Sequence, residues 1–155
     1  MTCGHSAGGH LALWLAGRHR LATQAPGASP AVRLCGAVAL GAVADLAAGW
    51  NSDWAEDRIE ALLGGSPSEV PGRYAFADPA ALLPLGVPQL LVHGAADDIV
   101  PVAQSRGYAL AAGAAAELVE VDGADHFDVI DPDHASWHAV LERLPVLLEG
   151  LGSRS

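Results

Sequence analysis

The chain has no lysine: all eight of its Lys and Arg positions are arginine, set against 18 aspartates and glutamates. Alongside so much alanine and glycine, the missing lysine reads as coding bias in a GC-rich genome and carries no chemical message. The scarcity of positive charge does carry one. A formal net charge of -10 argues against nucleic acid and anionic membranes as partners, because both select for clustered cations. Cysteine is equally sparse. Cys3 and Cys35 are too few for a disulfide framework in a chain with no secretory signal, and their apolar flanks predict buried, inert thiols. No uninterrupted apolar run reaches the roughly 20 residues of a membrane-spanning helix. No charged-then-apolar leader opens the sequence either, so a cytoplasmic location is expected.

What is present suffices for one ordinary domain. The 155 residues are 51% hydrophobic, which excludes a disordered chain and allows a real core. No internal repeat and no second domain are evident. Strand-like and helix-like stretches alternate, which predicts an α/β fold: a parallel sheet with flanking helices and functional groups at the carboxyl ends of its strands. Met1-Thr2-Cys3 reads as the tail of a strand, and a helix is expected from about Gly8 to His19. Val32 to Leu40 reads as a strand buried on both faces. Order returns with a strand at Gln89–His93, a helix at Val102–Ala112, a strand at Glu117–Val121 and a last amphipathic helix from Pro132 to Leu148.

A looser, cap-like segment at about 42–87 separates these halves. It carries Pro67, Pro71, Pro79 and Pro84, with one short helix expected from Asp53 to Leu63, closed by Gly64-Gly65. Trp50, Trp54, Tyr74 and Phe76 scatter through it, either to line a substrate pocket or to pin the segment to the core.

The chemistry concentrates in Gly4-His5-Ser6-Ala7-Gly8-Gly9-His10, which runs directly into apolar residues at helical spacing. Gly-x-Ser-x-Gly between a strand and a helix reads as a nucleophile elbow. The glycines are expected where the chain folds back on itself too closely for a Cβ, at Gly4 and Gly8. Ser6 would then stand exposed, with the Ala7 amide at the positive end of the new helix, aimed where an oxyanion forms.

A serine hydroxyl needs a base, usually a histidine held by a carboxylate. Of seven histidines, only His126 follows a predicted strand within a glycine-bearing loop, Asp122 to Asp128. His5 and His10 flank the serine in packing or rim positions, and His93 reads as a satisfied buried histidine. His134 and His138 share a helix face but lack a third ligand, so a packed or solvated face is expected and no metal. Asp97 and Asp98 compete for the role of the acid.

Gly4 to Gly9, His93-Gly94-x-x-Asp97-x-x-Val100-Pro101 and Asp125-His126-Phe127 together resemble the three landmarks of the α/β-hydrolase family, closest to esterase-like and prolyl-oligopeptidase-like serine hydrolases. Tyr74-x-x-x-Asp78-Pro79 is similar to a stretch that many of these hydrolases carry before the acid strand. The resemblance implies a partial α/β-hydrolase fold in which Ser6 attacks an ester, amide or peptide carbonyl, His126 relays the proton and Asp97, not Asp98, orients the ring. It implies no cofactor and a small-molecule substrate. A carboxylesterase-like enzyme is the leading expectation, with a prolyl-oligopeptidase-type peptidase or an arylformamidase-like amidase as alternatives.

The strands that usually precede the elbow, and the His-Gly-rich loop that supplies a second oxyanion donor, have no counterpart in these 155 residues. The chain is therefore expected to be a single, N-terminally truncated α/β-hydrolase domain over 1–155. A remnant without activity, self-associating through an exposed sheet edge, stays open as the reading of a different class.

Overall fold

In a computed structural model, which describes residues 1–52 and 54–152, four parallel strands form one sheet in the order β1-β2-β3-β4. The strands are β1 (Thr2–His5), β2 (Ala37–Leu40), β3 (Gln89–Gly94) and β4 (Ala116–Val121). Register runs Thr2 to Ala37, Ala37 to Gln89 and Gln89 to Ala116. All four strands therefore end near one rim. The two central strands read Ala-Val-Ala-Leu and Gln-Leu-Leu-Val-His-Gly and are buried throughout, as expected for strands covered on both faces.

Alternation along these strands sends side chains to two layers of helix. Ala37, Ala39 and Leu91 pack with Leu13 and Ala16 of α1 (Ala7–Gly17) and Tyr108 of α5 (Ala103–Ala112). Small alanines on this face let α1 approach the sheet closely. Val38, Leu40, Leu90 and Val92 face the other way, against Val140, Trp137 and Leu144 of α6 (Ala135–Gly152).

Between β2 and β3 the chain folds three short helices, α2 (Leu46–Trp50), α3 (Glu56–Leu63) and α4 (Pro71–Ala77). They have a core of their own in Leu46, Ala55, Ile59, Leu63 and Tyr74. The expected start of α3 at Asp53 lies outside the described residues; the helix begins at Glu56 and ends on Gly64 in the left-handed conformation, φ 78°, the usual task of glycine at a helix end. Asp78 ties the segment down. Its buried carboxylate accepts N–H groups from Ala47 and Ala80, each at 3.1 Å.

Three expectations are corrected. The strand predicted from Val32 begins only at Ala37, because the ladder runs out. Ala37 N–H bonds to Pro88 O, and Pro88 has no N–H to extend the pairing; Val32 is 71% exposed. The last helix starts at Ala135 rather than Pro132. Asp131 accepts the N–H of Asp133 at 2.9 Å, a local turn that competes with helix. Neither cysteine is fully buried: Cys3 is exposed on edge strand β1 and Cys35 is half-buried.

Candidate active site

Ser6 sits between β1 and α1 with φ 56° and ψ -122°. Among the described residues only Ser6 and Ser29 combine a side chain with positive φ, a conformation that costs energy and is typical of functional turns. The turn is held at both ends. Ser6 N–H donates to Leu40 O at 2.8 Å, and Ser6 O accepts from His10 N–H at 3.1 Å to start the helix.

The glycines act differently from expectation. A Cβ on Gly4 would collide with the carbonyl of Gly8, and one on Gly9 would lie 2.6 Å from the Ala42 Cβ, whereas Gly8 has open space around it. Crowding thus falls on Gly4 and Gly9, because Gly8 enters the collision through its backbone oxygen. Ala7 opens α1 and is exposed, with its amide at the positive helix end.

Asp97 and His126 meet across the ends of β3 and β4. A Cβ on Gly94 would strike the Ala124 carbonyl, so its absence lets the loop after β4 pass directly over the exit of β3. The Asp97 side chain is fully buried and its Oδ2 lies 2.7 Å from His126 Nδ1. Its Oδ1 accepts the N–H groups of Ile99 at 2.9 Å and Val100 at 2.8 Å. Asp98 is exposed. The geometry therefore separates the two adjacent aspartates that the residues alone leave in competition. With Nδ1–H given to the carboxylate, the neutral His126 ring keeps its lone pair on Nε2.

The His126 loop is shaped by Asp125, whose Oδ1 accepts from Phe127 N–H at 2.7 Å and Asp128 N–H at 3.0 Å. These backbone donors hold the Asp125 carboxyl below its ordinary pKa. His126 itself is 3% exposed.

Two further residues belong to this site that sequence reasoning does not assign to it. His5 Nε2 donates to the His126 backbone carbonyl at 2.8 Å, and the two rings lie 4.4 Å apart. Gly41, immediately after β2 with φ 49°, lies against the pair: a Cβ there would sit 3.3 Å from both Asp97 Oδ2 and His126 Nδ1. The signal for Gly41 is its place just beyond a buried strand; for His5 it is direct adjacency to the serine. The hydrogen bonds tie Ser6 to His126 through its neighbour His5, not through a direct Oγ–imidazole bond.

Ser6 and Ala7 open onto a cavity of about 260 Å³ lined chiefly by Val43, Leu46, Trp54, Ile59 and Leu62, with Arg58 among its walls. A larger one of about 470 Å³, walled by Trp14, Phe76 and Arg73, lies beside it and shares His10 and Leu62. Only the smaller touches the serine, so it is the one that bears on chemistry there. His10 is buried and donates Nε2–H to Ala77 O at 2.8 Å. The aromatics of the middle segment divide their work: Trp54 lines the serine cavity, while Trp50 donates to Glu60 at 2.9 Å and Tyr74 fills the core.

Among the described residues no group of three or more His, Cys, Asp or Glu is arranged to hold a metal; His134 Nδ1 instead meets Ser136 Oγ at 2.9 Å. No helix among them is long and apolar enough to cross a membrane.

A family model described as BD-FAE matches residues 1–111. Among solved structures, a thermophilic esterase from the planctomycete Thermogutta terrifontis with propionate bound is 27% identical, with TM-score 0.64 over 97% of this chain and 55% of that one. An acetyl ester-xyloside bifunctional hydrolase from Caldicellulosiruptor lactoaceticus is 26% identical, with TM-score 0.69 over 97% and 56%. A truncated carbohydrate esterase from gut microbiota, 22% identical with TM-score 0.73 over 94% and 58%, shares the fold. Among curated proteins, a 5-methylorsellinic acid synthase from Aspergillus terreus is 43% identical over 70 residues, which is 42% of this chain and 3% of that protein. The chain thus spans just over half the length of these solved structures.

Proposed function

The chain belongs to the BD-FAE family, within the α/β-hydrolase superfamily, and on that footing we propose that it is a serine hydrolase of carboxylic esters. The observation that carries this reading is the buried Asp97–His126 pair at 2.7 Å, at the same rim of the sheet as a serine held at positive φ. Ser6 Oγ attacks the ester carbonyl while His126 Nε2 takes its proton. Asp97 holds the ring and stabilises its charged form. The Ala7 N–H stabilises the oxyanion. His126 then returns the proton to the departing alcohol, and water releases the acyl group by the reverse route.

The cavity supports the choice of substrate. An apolar space of about 260 Å³ beside Ser6 suits a short acyl chain, and the Thermogutta esterase binds propionate. Propionyl and butyryl esters of p-nitrophenol test this. Turnover that falls with longer acyl chains and vanishes in Ser6→Ala is the expected result; turnover surviving in Ser6→Ala overturns the assignment.

A further inference from the structure

Behind Asp97 runs a buried string of hydrogen bonds that the proposed Ser6, His126 and Asp97 chemistry does not use. His93, at the end of β3, has no exposed surface. Its Nδ1 lies 2.7 Å from Ser105 Oγ on α5, and its Nε2 lies 2.8 Å from Val100 O and 3.2 Å from Asp97 Oδ2. A carbonyl only accepts, so Nε2 carries the proton. Burial pushes the His93 pKa down, which favours the neutral ring, and Nδ1 of a neutral ring with Nε2–H accepts. Ser105 O–H is thereby the donor that fixes the tautomer.

This arrangement completes the shell of Asp97. Oδ1 is occupied by the Ile99 and Val100 amides, and Oδ2 is bonded by His126 and lies 3.2 Å from His93 Nε2, whose N–H is directed at Val100 O. Val100 is gripped twice, its N–H by the carboxylate and its C=O by the imidazole. With the opposite tautomer, His93 would turn a lone pair toward both oxygens and push the carboxylate away.

We propose that His93 is a positioning residue: its Nε2–H, bonded to Val100 O and facing Asp97 Oδ2 at 3.2 Å, holds the Val100 turn that grips Oδ1 and so sets the rotation of the Asp97 carboxylate that turns Oδ2 to His126 Nδ1, and Ser105 selects the tautomer that makes this possible. The inference rests on the proposed roles of Ser6, His126 and Asp97. Its effect on the Asp97–His126 pair is nevertheless readable without any reaction.

The test compares the parent chain with His93→Leu, His93→Gln and Ser105→Ala. Readouts are the rate of Ser6 labelling by a fluorophosphonate, resolved into its binding and bond-forming parts, the low-field proton resonance of His126 Nδ1–H, and thermal unfolding. His93→Leu is expected to slow bond formation by about tenfold to a hundredfold with binding unchanged, and to shift or abolish the low-field resonance. His93→Gln, which restores an N–H near the Nε2 position, recovers most of both. Parent behaviour in His93→Leu overturns the proposal. So does His93→Gln as impaired as His93→Leu while still folded, since the ring would then matter as filling. Should His93→Leu fail to unfold cooperatively, Ser105→Ala decides: slower labelling with an altered resonance supports the role of His93, and parent values in both overturn it. A parent chain that shows the resonance but no labelling defeats the nucleophile reading instead, and the resonance still tests His93.

Discussion

His5 donates its Nε2–H to the backbone carbonyl of His126 across 2.8 Å, so the residue preceding the serine holds the loop that carries the proposed base. Ser6 and His126 stand on strands at opposite edges of the sheet or just beyond them. A contact at this point fixes the separation of the proposed nucleophile and base.

His5→Ala is accordingly expected to slow acylation of Ser6 by roughly tenfold, the worth of about one hydrogen bond, with little change in substrate binding. Stopped-flow measurement of the acylation step with p-nitrophenyl propionate checks this. Equal rates in parent and variant would show that the loop holds its place without His5.

The two neighbouring aspartates give a sharper contrast. Asp97→Asn is expected to reduce kcat by roughly a hundredfold to ten-thousandfold, because an amide in place of the carboxylate favours the wrong histidine tautomer. Asp98→Asn, at an exposed position, should leave kcat within about twofold. Comparable losses in the two variants would place the acid elsewhere.

Gly4 and Gly8 make a second such pair, within one motif. A Cβ on Gly4 collides with the Gly8 carbonyl, while one on Gly8 meets nothing within 4 Å. Gly4→Ala should therefore abolish Ser6 labelling and lower the melting temperature. Gly8→Ala lies inside α1, where alanine is the better helix former, so it should fold at least as stably as the parent. A destabilised Gly8→Ala would show that the turn is closed by something other than the Gly4 approach.

Much of this arrangement is legible in the order of the residues. Central strands announce themselves when burial on both faces makes them continuously apolar, as in Leu90-Leu91-Val92, and the elbow announces itself through Gly4, Ser6 and the apolar helix that follows. The start of β2 is not legible, because Val32-Arg33-Leu34 has strand character and it is the proline at position 88, distant in sequence, that ends the ladder. The exposure of Cys3 follows from the place of β1 at the edge of the sheet, which the missing preceding strands imply and the apolar flanks of the cysteine by themselves do not. Gly41, His5 and the tautomer of His93 depend on contacts between strand ends that only the register of the sheet brings together.

Stability should respond to pH through two opposed groups. Burial lowers the pKa of His10 and His93 below the ordinary 6.5, so their contribution is complete above that pH and is lost as the medium acidifies toward their folded values. Burial also raises Asp78 from 3.8 to about 6. Its contribution is complete below 3.8 and is lost as pH rises through about 6, a swing of up to about 3 kcal/mol. Between those limits the protonation of Asp78 offsets the cost of charging the histidines. Asp78→Asn should therefore lose stability on acidification more steeply than the parent, whatever its stability at neutral pH. Parallel melting-temperature curves for the two proteins would show that Asp78 titrates as it does in the unfolded chain.

The central claim is that Ser6 is an activated nucleophile, and labelling of the purified 155-residue chain with a fluorescent fluorophosphonate measures it most directly. The geometry predicts a stoichiometric adduct on Ser6, located by peptide mass mapping, absent in Ser6→Ala and strongly slowed in His126→Ala. A cooperatively folded chain that takes no label, or that labels equally well without His126, would contradict it.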